Sequence, residues 1–238
     1  VMRTTHAGAL MPHIPAPDPD FANVVLLLHY DNDDEQAYPD FSSYHRETTQ
    51  TGLIATDTTD PKFGAGSGIY DGTNYLQCAS SIDFGFGGDW TIECFAKRTG
   101  QSSAVDPNVI FANISSGGGT QLRYLCFNPI TGKFSYRGPG GLLTDFVADA
   151  DPDVWTHLAI CRASTTVYAF QDGVLQFTAG GDNSPEAAHA ITVGGAQIHT
   201  SRQLRSAIAP ICQVTISLSA KGVGARLSTS AVSAPDRL

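Results

Sequence analysis

The stretch from 154 to 178, Val-Trp-Thr-His-Leu-Ala-Ile-Cys-Arg-Ala-Ser-Thr-Thr-Val-Tyr-Ala-Phe-Gln-Asp-Gly-Val-Leu-Gln-Phe-Thr, leaves the chain few folds to choose from. Trp155 to Arg162 is rich in strand-forming residues and leads into a turn at Ala163, Ser164 and Thr165. Thr166 to Gln171 reads as a second strand. Asp172-Gly173 is then a two-residue hairpin turn, because a type I′ turn needs positive φ at both central positions. Val174 to Thr178 returns antiparallel. Trp155, His157, Ala159 and Cys161 give the first strand one mostly apolar face, and Leu158 and Ile160 make the other face apolar too. A strand apolar on both faces is covered on both sides, so it belongs to two packed sheets and not to an open one.

The rest of the chain agrees. Its 238 residues include 24 glycines, and many short β segments alternate with Gly-rich turns without any long 3.6-residue period. This predicts an all-β protein, and a sandwich of this length is often one domain with a core that needs no staples. A net charge of −9 argues against nucleic acid as a partner and against an anionic membrane surface. The five cysteines form no Cys-x-x-Cys pair, and an odd number leaves at least one thiol free. Cys78, Cys94, Cys126 and Cys161 lie in apolar β segments, which predicts reduced core residues of a protein folded in a cytosol. The longest apolar run, Val24 to Leu28, is too short to insert in a bilayer. Val1 to His6 has no apolar h-region, so export by lysis or within a particle is expected if the protein acts outside the producing cell.

Residues 1–20 read as an extended arm, with four prolines between Met11 and Asp20. Such an arm is expected to be held by the domain's own surface or by a neighbouring subunit. Phe21 to Tyr30 is apolar on both faces and reads as a central first strand. It runs into the acidic cluster Asp31-Asn32-Asp33-Asp34-Glu35. Residues 82–97 carry a period of two, with Trp90, Ile92, Cys94 and Ala96 alternating with Thr91, Glu93, Phe95 and Lys97. Val109 to Ile114, Gln121 to Phe127 and Gly132 to Tyr136 supply further strands, and Asp71-Gly72 reads as another two-residue turn between strands. The last residues, 228–238, form a polar Ser/Ala tail that reads as a second contact arm.

The order Trp-x-His-Leu-Ala, Arg, then Tyr168-Ala-Phe-Gln-Asp172-Gly173 resembles the central hairpins of the laminin-G-like branch of the concanavalin A-like jelly rolls. Other blocks resemble the same family: Val25-Leu-Leu-Leu-His29-Tyr30, Asp40-Phe-Ser-Ser-Tyr-His45, Phe63-Gly-Ala-Gly-Ser-Gly-Ile-Tyr-Asp71-Gly72, Asp89-Trp-Thr-Ile-Glu-Cys-Phe95, Ala190-Ile-Thr-Val-Gly194, and a closing segment at 211–227. The resemblance implies a single domain over 21–227, built as a two-sheet antiparallel β-sandwich jelly roll. In the closing segment Cys212 and Gln213 stand where the family usually has acids.

Chemistry is sparse. A glycosidase of this fold needs two carboxylates flanking the scissile bond. The chain has only Glu35, Glu47, Glu93 and Glu186, with no acidic run on one strand face, so an enzyme is not expected. Glu93 reads as a structural or rim acid. His157 and His29 read as packing residues, with the His157 imidazole hydrogen-bonded inside the sandwich. Asp31, Asn32, Asp33 and Asp71 offer hard oxygen donors that suit a structural calcium. A solvated acidic turn is the plainer account, and the missing closing-strand acid favours it. Carbohydrate binding would fall to Tyr124, Tyr136, Arg137, Phe146 and Tyr168, although each reads more readily as a core or surface residue than as a ligand contact. The expectation is a non-enzymatic structural or interaction module of a phage or virus particle: a tail fibre, baseplate or decoration protein assembled in the host cytoplasm. Homo-oligomerisation, contacts to other subunits through the two arms and a share in host attachment go with it. The alternative is a calcium-assisted, glycan-binding adhesin acting extracellularly.

Overall fold

The computed structural model describes residues 21–30, 38–71, 74–98, 108–115, 121–138, 141–181, 188–194 and 210–213. Two seven-stranded antiparallel sheets face each other. In chain order the strands are β1 (Thr48–Thr51), β2 (Ala55–Asp57), β3 (Ser67–Ile69), β4 (Tyr75–Ser81), β5 (Trp90–Arg98), β6 (Asn108–Ser115) and β7 (Gln121–Asn128). They continue with β8 (Lys133–Arg137), β9 (Leu143–Asp149), β10 (Trp155–Ala163), β11 (Thr166–Gln171), β12 (Val174–Gly180), β13 (His189–Val193) and β14 (Pro210–Gln213). The first sheet runs β1-β4-β13-β6-β7-β8-β9 and the second β12-β11-β10-β5-β14-β3-β2. Strands distant in sequence lie side by side, as expected of a jelly roll.

The alternation in each strand sends one set of side chains between the sheets. Trp90, Ile92, Cys94, Leu158, Ile160, Val167 and Ala169 come from the second sheet. They meet Leu76, Ile110, Phe111, Leu125, Phe127, Phe134, Phe146 and Ile191 from the first. The two sheets close on one side where β9 and β12 meet: Ala148 N donates to Gln176 Oε1, and Phe146 packs edge-on against Phe177.

The central hairpins form as the sequence predicts. β11 spans the expected residues, and Asp172 and Gly173 have φ of 49° and 78°, the left-handed pair that a type I′ turn needs. The turn is pinned to β10 through Asp172, whose N–H donates to His157 O and whose Oδ1 accepts from His157 N.

Two expectations are corrected. Phe21 to Tyr30 is buried at Val25, Leu26, Leu28 and Tyr30 but is not a ladder strand: Phe21–Asn23 is a 3-10 turn, and Leu28 forms only an isolated bridge with Asp40. The reason lies in side-chain competition. Asp40 Oδ1 takes the Leu27 N–H, and Arg46 Nε takes the Val25 carbonyl. Asp71, in turn, does not sit in a hairpin, because β3 and β4 belong to different sheets. Asp71 and Asn74 instead clasp one another, each side-chain oxygen accepting the other's backbone N–H, and the chain crosses between the sheets there.

Cys78, Cys94, Cys126 and Cys161 are buried and unpaired. Burial pushes the Cys78 thiol up to about 12 and the Cys161 thiol to about 11, and Cys126 shifts in the same direction. Little thiolate is then available. In mildly alkaline buffer these four are expected to resist a maleimide in the folded protein and to label fully in concentrated guanidinium. Peptide mapping by mass spectrometry reads both states. Labelling of any of the four without unfolding would contradict the packing described.

Candidate functional site

The five residues predicted to bind carbohydrate do not come together. Phe146 and Tyr136 lie in the core between the sheets, 1% and 3% exposed, with no ring face available to a ligand. Tyr124 and Arg137 pair across β7 and β8 on the outer face of the first sheet, with the guanidinium 5.7 Å from the ring centroid. That ring is buried among Val109, Ala112 and Cys126. Burial raises the Tyr124 pKa, and Arg137 offsets the shift in part. Tyr168 alone lies on the outer face of the second sheet, half-buried.

That second face is where chemistry gathers. Since Ile92, Cys94, Leu158 and Ile160 point inward, their neighbours Thr91, Glu93, Phe95, His157, Ala159 and Cys161 point outward. The strand register sorts them into rows across the sheet. One row runs Glu93, Ala159, Phe170, Leu175 and the next Thr91, Cys161, Tyr168, Thr178. Phe95 pairs with His157, and their rings lie 4.8 Å apart. Phe63, from the β2–β3 connection and 44% exposed, packs edge-on against Phe95 at 4.9 Å. Trp155 flanks them. Its indole donates to Asp60 O, and Lys97 Nζ stands 5.2 Å from its ring while pairing with Asp60 at 2.6 Å.

Small buried residues form the floor, with Ala159 and Cys161 at 2% and 6% exposure, and larger half-buried rings stand around them. Four strands make a row about 14 Å across, roughly the length of two or three sugar rings. The carboxylate at the floor is Glu93, 3.9 Å from His157 Nε2. His157 therefore lies outside the sandwich, beside an acid, and not hydrogen-bonded in the core as its motif suggested.

Burial holds the Glu93 carboxyl above its ordinary range, and His157 opposes the shift in part. A raised acid pKa means that the folded state holds the proton more tightly than the unfolded chain does. That contribution favours folding below the ordinary value of 4.5 and is lost as pH rises through the folded value. Glu93→Gln is accordingly expected to be more stable than the parent at neutral pH and to lose that advantage in acid. Urea midpoints on both sides of the ordinary value check it, and a variant less stable at neutral pH would contradict the assignment.

Of the predicted calcium ligands, Asp31, Asn32 and Asp33 lie outside the described residues. Asp71 uses its Oδ1 on Asn74 N. Among the described residues no group of three or more His, Cys, Asp or Glu is placed to hold a metal ion, and no helix is long and apolar enough to cross a membrane. The arms at 1–20 and 228–238 also lie outside the described residues.

With this geometry the chain belongs to the concanavalin A-like lectin/glucanase superfamily, whose laminin G-like family model matches residues 70–221. No curated protein matches in sequence. Solved structures match in fold. The binding domain of botulinum neurotoxin serotype C1 superposes with a TM-score of 0.64 at 11% identity, covering 86% of this chain and 50% of that one. The binding domain of botulinum neurotoxin DC, solved in complex with rat synaptotagmin II, gives 0.63 at 12% identity and covers 85% and 49%. A structure of botulinum neurotoxin type C, whose cell entry depends on two ganglioside molecules, gives 0.61 at 10% identity and covers 83% and 48%. The chain spans about half the length of these structures.

Proposed function

We propose that the chain is a non-catalytic recognition module that attaches to cell-surface glycans through the outer face of its second sheet. The observation that carries this is the half-exposed aromatic set on that face: Phe63, Phe95, Trp155, His157, Tyr168 and Phe170 around a floor of Ala159 and Cys161. Pyranose rings present flat C–H faces that pack on aromatic rings, and a few polar groups then fix orientation. Hydrolysis would need a second carboxylate facing Glu93 across the floor. Asp60, beside Trp155, is held by Lys97 instead. The toxin domains of similar fold support the reading, since one was solved in complex with rat synaptotagmin II and the cell entry of another depends on interaction with two ganglioside molecules.

A wider setting goes with this proposal. Four buried, unpaired thiols suit folding in a reducing compartment. They favour assembly in a host cytoplasm as part of a phage or virus particle, with residues 1–20 and 228–238 as subunit contacts and the sheet face turned to the host. Labelled protein added to candidate host cells, with and without EDTA, tests attachment. Saturable binding that the double variant Phe95→Ala/Phe170→Ala loses is expected. Binding unchanged in that variant, or none from folded protein on any host tried, would overturn it. Loss with EDTA would assign calcium a part.

A further inference from the structure

Glu93 is a carboxylate at the floor of the aromatic face, and among the described residues it is short of donors. Its side chain is 36% exposed, so much of it is out of water. Among the described residues none donates a hydrogen bond to it, and its ionic partner, His157 Nε2, stands at 3.9 Å, beyond hydrogen-bond reach. A carboxylate offers about four lone-pair sites. Covering them without donors costs free energy, which a donor-bearing ligand would recover. The positions paired with and diagonal to Glu93, Ala159 and Cys161, supply neither a strong donor nor bulk that would fill the space above the floor.

We infer that Glu93 makes this face selective for neutral glycans that present a vicinal pair of hydroxyls, donated together to its carboxylate while the sugar ring lies on Phe95, His157 or Phe170. The inference rests on the glycan-binding reading of the face. Two adjacent ring hydroxyls can meet the two oxygens of one carboxylate in parallel, a bidentate arrangement that adds geometric selectivity to charge-assisted bonding. Glu93 sets the floor against acidic ligands, and Lys62 sets the rim against cationic ones. An acidic sugar would set a second carboxylate against Glu93 in a partly desolvated site, and the chain's net charge of −9 adds to the repulsion. A cationic ligand would meet Lys62, which stands 5.4 Å from the Phe95 ring and 5.8 Å from Phe63, and has no carboxylate partner among the described residues. Lys97, by contrast, is neutralised by Asp60.

Retention of the full chain on beads carrying mannan or dextran, on the same beads after periodate cleavage and borohydride reduction, and on polysialate and polygalacturonate beads tests this directly. The parent protein is expected on at least one neutral matrix, not on its periodate-treated form, and not on the acidic ones. Glu93→Gln keeps the side chain's shape but makes one oxygen a donor. It should weaken retention about tenfold or more, the worth of a charge-assisted hydrogen bond, with cooperative unfolding preserved. Retention within about twofold of the parent in Glu93→Gln, while Phe170→Ala loses it, would overturn the role of Glu93 and leave the glycan face standing. Retention on an acidic matrix that Lys62→Gln abolishes would overturn it as well. Folded protein held by none of the matrices would bring down both the inference and the reading beneath it.

Discussion

Asp40→Ala is expected to lower stability by about 3–5 kcal/mol, a large share of what a domain has to spare. Asp40 is 3% exposed, and its carboxylate accepts four hydrogen bonds. Oδ1 takes Leu27 N and Ser42 N, both at 2.9 Å, and Oδ2 takes Ser42 Oγ at 2.8 Å and Arg46 N at 2.9 Å. Alanine strands these four donors, and the two on Ser42 are buried where water does not replace the acceptor. It also releases the segment from Val24 to Tyr30, whose place against the core depends on this anchor. Asp40→Asn should lose less, about 2 kcal/mol, because it keeps one oxygen but turns a donor toward two others. Urea unfolding followed by tryptophan fluorescence gives both values. An Asp40→Ala variant within about half a kcal/mol of the parent would show that Asp40 does not organise this segment.

Gly194→Ala is expected to cost about 3–4 kcal/mol, from two sources. Gly194 has a φ of 71°, which strains an L-residue, and a methyl group there would overlap the Tyr70 ring. Tyr70 cannot step aside freely, since it is fully buried and its hydroxyl shares a 2.5 Å hydrogen bond with Tyr30. Gly68 faces the Tyr30 ring in the same way, so two glycines and two tyrosines pack as a unit. The overlap part should be missing when Tyr70 is already Ala, so Gly194→Ala should cost markedly less in that background. Additive losses in this double-mutant cycle would refute the steric account.

These residues show why parts of the fold were legible in the sequence. The hairpins of β10, β11 and β12 announce themselves, because local turn chemistry and strand alternation agree there. Gly194 and Asp40 stand in blocks that resemble the family, and so do their partners, Tyr70 and Leu27, but which blocks meet is not written in any one of them. The segment Phe21–Tyr30 misled for a related reason: hydrophobicity reports burial, while ladder pairing depends on where each N–H finds an acceptor.

The candidate site was half legible. The alternation on β5 already put Glu93 and Phe95 on one face, and that on β10 put His157 and Ala159 on one face. What was missing is the register that sets Phe95 against His157 and Glu93 against Ala159, a property of sheet pairing that no single strand carries. Tyr124, Tyr136 and Phe146 were candidates as aromatics in the variable middle of the chain. Side-chain type alone does not tell an inward ring from an outward one.

Backbone and side-chain resonances, followed by NMR as a retained neutral oligosaccharide is added, test the binding face most directly. The account predicts the largest shifts at Phe95, His157, Ala159, Tyr168 and Phe170, with Tyr124 and Arg137 on the opposite sheet unmoved. Shifts centred on Tyr124 and Arg137, or confined to loops away from the second sheet, would contradict it.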